Sequence, residues 1–123
     1  MDNGRIFMPK LNLIVLRTNQ AQKLAALYEL LGLEFDYHQH GNGPFHYSAI
    51  LGEVVFEIYP LRKSQTKSDD SLRLGFQVSN LDKTIEKLRS ENIRIIAFPE
   101  QGEWGYRAVI QDLDGRKIEL TQS

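Results

Sequence analysis

The clearest pattern along the chain is the alternation in Leu72-Arg73-Leu74-Gly75-Phe76-Gln77-Val78. Leu74, Phe76 and Val78 point one way and Arg73, Gly75 and Gln77 the other, a period of two that predicts a β-strand with one buried apolar face. The reverse face carries a cation, a glycine and an amide where a surface strand usually shows Thr, Lys or Glu. A glycine inside a strand often marks close approach by another group, so this face is expected to look into a concavity. Val54–Tyr59 is apolar at 54, 56 and 58, with Glu57 on the reverse. Lys117–Thr121 is apolar at 118 and 120, with Glu119 on the reverse. Each charge alone reads as ordinary and solvent-facing; together they recur at matching places of a repeat.

The remaining elements follow from the same reading. Leu11–Arg17 predicts an interior strand, with Leu13 and Val15 on one face and Asn12, Ile14 and Leu16 on the other. Gln20–Leu31 predicts a helix, capped by Thr18 or Asn19 and ended by Gly32. Strands are expected at Leu33–His38 and Phe45–Leu51 around the Gly41-Asn42-Gly43-Pro44 loop. Residues 1–10 read as an arm and 61–71 as a polar linker. Beyond the linker come the Leu72 strand, a helix opened by a Ser79/Asp82 capping pair, and a strand at Ile93–Phe98. Pro99–Gly105 reads as a loop carrying Trp104, followed by strands at Tyr106–Gln111 and Lys117–Thr121 around the Asp112–Gly115 turn.

The order is β-α-β-β-β twice, over 11–60 and 72–123, at an offset of about 61 residues. At that offset Leu13 meets Leu74, Val15 meets Phe76, Asn12 meets Arg73, and Glu57 meets Glu119. The expected fold is α+β: one domain whose two βαβββ repeats form a curved eight-stranded mixed sheet around a cleft, helices outside.

Composition narrows the function. With 41% hydrophobic and 25% charged residues the chain is an ordinary globular one. A net charge of −1 gives no field to hold nucleic acid or an anionic membrane. The absence of cysteine excludes disulfides, thiolate ligands and a cysteine nucleophile. There is no membrane-length apolar run and no signal-peptide pattern, so a cytoplasmic location is the expectation.

Other residues are candidates for chemistry. His38 and His40 form a possible metal pair on one strand face, with no third ligand evident nearby. His46 is a candidate cleft acid or base, against a plain packing role. Trp104 and Tyr106 are candidate aromatic walls, and Tyr59 and Gln77 share the faces of Glu57 and Arg73. No Ser-His-Asp triad, phosphate loop or nucleic-acid module can be placed.

Three stretches carry a family resemblance: Leu13–Arg17 with Leu27–Leu33, Leu74–Asp82, and Asp112–Leu120. In this duplicated order the chain resembles the vicinal oxygen chelate superfamily, which includes glyoxalase I, extradiol dioxygenases, and fosfomycin- and bleomycin-resistance proteins. The resemblance implies a divalent metal held by the first and last strands of each repeat, here Asn12, Glu57, Arg73 and Glu119. It also implies a homodimer, sometimes with exchanged halves. The two carboxylates are kept, but a guanidinium has no lone pair to give and Asn12 offers only an amide oxygen. Arg73 is therefore expected to replace the metal by bridging Glu57 and Glu119. No cofactor is expected. The leading expectation is a metal-free binder of a small, polar or cationic molecule, similar to bleomycin-resistance proteins. The alternatives are a metal-free lyase or isomerase using Glu57, Glu119 or His46 as base, a metal-dependent enzyme of the glyoxalase or dioxygenase type, and a regulatory module.

Overall fold

The structure, a computed structural model, describes residues 8–123. Of the expected arm only 8–10 are among these, without regular structure. The first half comprises β1 (Leu13–Thr18), α1 (Ala21–Glu29), β2 (Asp36–His38), β3 (His46–Leu51) and β4 (Val54–Pro60). The second comprises β5 (Leu74–Val78), α2 (Leu81–Ser90), β6 (Arg94–Gly102), β7 (Gly105–Gln111) and β8 (Lys117–Gln122). The two βαβββ units are present, but the eight strands form two sheets of four, ordered β1-β4-β3-β2 and β5-β8-β7-β6. No ladder joins the sheets among the described residues. In each, the first and last strands pair in parallel across the helical crossover, and the other pairs are antiparallel.

Each helix covers one face of its own sheet. The apolar residues of α1 (Leu24, Ala25, Leu27, Tyr28) and of α2 (Leu81, Ile85, Leu88) are buried, as the helical spacing requires. The two faces share one core in which Tyr28, Phe56 and Phe76 meet, with ring centroids 5.1 to 6.1 Å apart.

The helix ends correct the expected caps. Asn80, not Ser79, caps α2, its side chain accepting from Lys83 N at 3.1 Å. No side chain caps α1; Thr18 Oγ1 instead accepts from Gln20 N at 3.1 Å. Beyond α1 the chain turns through Gly32 at φ +113°, and beyond α2 through Asn92 at φ +62°. β6 runs through the expected Pro99 loop to Gly102. It is an edge strand with register shifts on both sides of Ala97, a setting in which the missing proline N–H is tolerated.

These ends also fix the repeat. The contact Leu33 N→Tyr28 O recurs as Ile93 N→Leu88 O, an offset of 60. Glu57 and Glu119 stand 62 apart. An offset near 61 is the mean of the two, and a slip of one residue moves a strand's side chains to the opposite face. The core face of β1 is therefore Ile14 and Leu16, paired with Phe56 and Ile58. Leu13 and Val15, expected inside, are 50% and 38% exposed on the face away from the helix.

Candidate functional site

The faces turned away from the helices hold the chemistry. On the second sheet, Glu119 on β8 lies opposite Gly75 on β5 and Val109 on β7. Arg73 donates from Nε to Glu119 Oε2 at 3.0 Å, and Arg107, one row along on β7, donates from a terminal nitrogen to Oε1 at 2.5 Å. Both carboxylate oxygens thus receive charge-assisted bonds from different strands. A Cβ at Gly75 would meet nothing closer than 3.9 Å, so the chain itself does not require glycine there.

The expected bridge from Arg73 to Glu57 is not formed. Glu57 lies in the row Val15, Glu57, Ser48, Asp36 of the first sheet, and its neighbour is His46, with Nε2 to Oε2 at 3.3 Å. The physical reason is local: Glu119 lies within reach of Arg73 inside the same sheet, and β7 supplies a second guanidinium to it. Arg107 was not singled out from the sequence. Its signal was parity, since in Tyr106–Gln111 it alternates against the buried Ala108 and Ile110.

The same parity removes two expected site residues. Tyr106 shares the helix-facing side with Ala108, and its hydroxyl donates to Asp82 Oδ1 on α2 at 2.7 Å, a bond that raises its pKa. Asn12 falls on the alternation of Ile14 and Leu16; its carbonyl accepts from Val55 N at 2.9 Å, and Leu13 is the true counterpart of Arg73. Gln77 is exposed on the outer face of β5, opposite Thr121. Trp104, 74% exposed in the β6–β7 turn, walls a cavity of about 260 Å³ with Phe98, Glu100, Arg107 and Val109.

The first sheet carries a row of stacked groups. The Arg17 guanidinium lies 4.9 Å from the Tyr59 ring centroid, and Tyr59 stacks on His46 at 4.1 Å and 9°. His46 in turn lies 4.5 Å from His38 and 5.1 Å from His40. His46 is 1% exposed, so it meets the cleft only through its neighbours.

The metal position implied by the resemblance does not fit these residues. Two guanidiniums occupy Glu119, and Asn12 is off the face. A second cavity, of about 620 Å³, lies between β1 and the 61–71 segment, lined by Arg17, Arg62, Asp69, Leu72 and Arg116, and contains none of the expected site residues.

A buried network ties the halves together beside it. Arg116, 1% exposed, pairs with Asp112 at 3.2 Å and Asp114 at 3.1 Å, and donates to the Arg17 carbonyl at 3.2 Å. Asp112 also accepts from the Tyr28 hydroxyl at 2.8 Å. Burial, then the Asp112 charge, pushes the Tyr28 pKa far above its ordinary value. No helix among the described residues is long and apolar enough to cross a membrane.

Comparisons with known proteins agree with this architecture. The family model for the glyoxalase-like domain matches residues 11–123. TnmS3, an antibiotic binding protein from a Streptomyces species, superposes with a TM-score of 0.74 at 19% identity, covering 96% of this chain and 98% of its own. An integron cassette protein from the mobile metagenome of V. cholerae gives 0.70 at 21%, covering 97% and 99%. TioX from a Micromonospora species gives 0.70 at 16%, covering 93% and 98%. No curated protein matches the sequence. The family model spans both halves and every strand described above, and the chain belongs to the glyoxalase-like domain family of the vicinal oxygen chelate superfamily.

Proposed function

We propose that the chain binds a small molecule on the outer face of the second sheet, without the divalent metal usual between the halves. The observation that carries this reading is the convergence of Arg73 and Arg107 on Glu119 beside the cavity walled by Phe98 and Trp104. Arg73 and Arg107 keep 50% and 34% of their side chains exposed, so donors remain for a ligand. Two guanidiniums converge on the single Glu119 carboxylate and so keep N–H donors to spare, while Glu100 and Glu103 also line the cavity. The ligand class is therefore an aromatic molecule with a phenolate, carboxylate or carbonyl acceptor for those donors. TnmS3, an antibiotic binding protein of the same fold, supports small-molecule binding in general. An acid–base enzyme has less support: His46 is buried, and Glu119 already accepts from two guanidiniums.

Trp104 is the single tryptophan of the chain, so its emission reports on this place alone. Titration with bleomycin and a panel of aromatic antibiotics bearing phenol or carboxylate groups is expected to give saturable quenching with at least one member. Arg107→Ala is expected to weaken that binding by about tenfold or more, the worth of a charge-assisted hydrogen bond. No saturable change across the panel would end this reading.

The reading includes a homodimer. Leu13, Val15 and Ile50 stand 50%, 38% and 76% exposed on the uncovered side of the first sheet, an apolar surface that a second copy would cover. Light scattering at micromolar concentration is expected to return the dimer mass; the monomer mass would refute it.

A further inference from the structure

The first half holds a cluster that the small-molecule reading does not use. His38 on β2, His40 in the following turn, His46 on β3 and Glu57 on β4 each offer one ligand atom, and these atoms all lie within 4.8 Å of one another. The hairpin brings them together: His38 pairs directly with His46 in the antiparallel register. Gly43 N donates to the His40 carbonyl at 2.9 Å, and Gln39 donates to the Gly43 carbonyl at 2.7 Å, which closes the turn.

The hydrogen bonding around His46 shows what the cluster lacks. Its Nδ1 lies 3.1 Å from the Pro44 carbonyl oxygen. A carbonyl only accepts, so Nδ1 carries the hydrogen and Nε2 is the nitrogen whose lone pair can serve the cluster. That lone pair faces Glu57 Oε2, another acceptor, and makes no hydrogen bond. His38 Nε2 is also buried without a partner. Buried polar atoms left unpaired in this way are unfavourable and rare. A protonated His46 would answer Glu57 but leave His38 unpaired; a cation at the convergence answers every group at once.

We propose that His38, His40, His46 and Glu57 form a divalent metal site. Three imidazoles and one carboxylate suit a borderline ion such as Zn²⁺ and not the oxygen-seeking Mg²⁺ or Ca²⁺. The Pro44 carbonyl is the outer partner that orients a ligating imidazole. The site lies on β2, β3 and β4 of one half, and shares only Glu57 with the metal position implied by the resemblance.

Calorimetric titration of the untagged full chain, after dialysis against a chelator, tests this with Zn²⁺ and Mg²⁺. One equivalent of Zn²⁺ is expected to bind and Mg²⁺ to give no heat. Co²⁺ is expected to show the visible absorption of tetrahedral nitrogen and oxygen coordination. His40 is exposed in a turn, so His40→Ala keeps the fold. Removing an outer partner of a zinc site costs about 10- to 100-fold in affinity, so losing a ligand is expected to cost at least about tenfold. No saturable Zn²⁺ binding, or an affinity unchanged in His40→Ala, would overturn the proposal. Because Trp104 lies in the other half, this outcome is independent of the antibiotic titration.

Discussion

Arg116→Met is expected to lower the unfolding free energy by about 3–5 kcal/mol, the effect of removing one partner from a buried ion pair. The substitution keeps most of the side-chain volume but leaves Asp112, 4% exposed, without its cation. It also strips the Arg17 carbonyl of its donor and leaves Asp114 unpaired by Arg116. The loss follows from an orphaned charge, so it should be partly reversible. Asp112→Asn in the Arg116→Met background is expected to recover part of the stability, although the amide still replaces the acceptor of Tyr28. Urea denaturation followed by circular dichroism measures both. A change below about 1 kcal/mol for Arg116→Met, the range of a surface pair, would show that the pair is solvated.

Phe56→Ala is expected to cost about 3–5 kcal/mol through lost burial and the cavity left behind. Phe56 is fully buried on β4 of the first half, its ring 6.2 Å from Phe35, 5.1 Å from Tyr28 and 6.1 Å from Phe76 of the second half. Trp104 emission, from the second half, should therefore report the same shift in midpoint as circular dichroism does for the whole chain. A Trp104 midpoint that stays at the wild-type value while the dichroism midpoint falls would mean that the halves do not share a core.

Much of this architecture is legible in the residues. The alternations around Phe56, Phe76 and Ile118 place three strands with the correct inward face, and the duplicated order points to the family. The error at the first strand comes from the repeat offset. An offset between 60 and 62 cannot be read to a single residue from apolar pattern, because Leu13, Ile14, Val15 and Leu16 are all apolar and either face passes for the core. That ambiguity put Asn12 opposite Arg73. Tyr106 reads as a cleft wall because an aromatic residue suits a wall as well as a core; its parity with the buried Ala108 and its hydrogen bond to Asp82 place it on the helix side. The imidazole cluster had a readable signal. His38 and His46 are equidistant from Asn42, as cross-strand partners in a hairpin turning on the glycines would be. Glu57 joins them only through the β3–β4 register, which no spacing announces.

The lack of any backbone ladder between the sheets has a mechanical consequence. Among the described residues the polar bonds joining the folded halves come from the Asp112–Arg116 segment, which engages Gln20, Tyr28 and Arg17. A rotation of one half against the other would sever side-chain contacts and leave every strand pair intact. Separation of the halves would therefore open the shared core and this network together, and amides within each sheet are expected to stay protected from exchange through that opening.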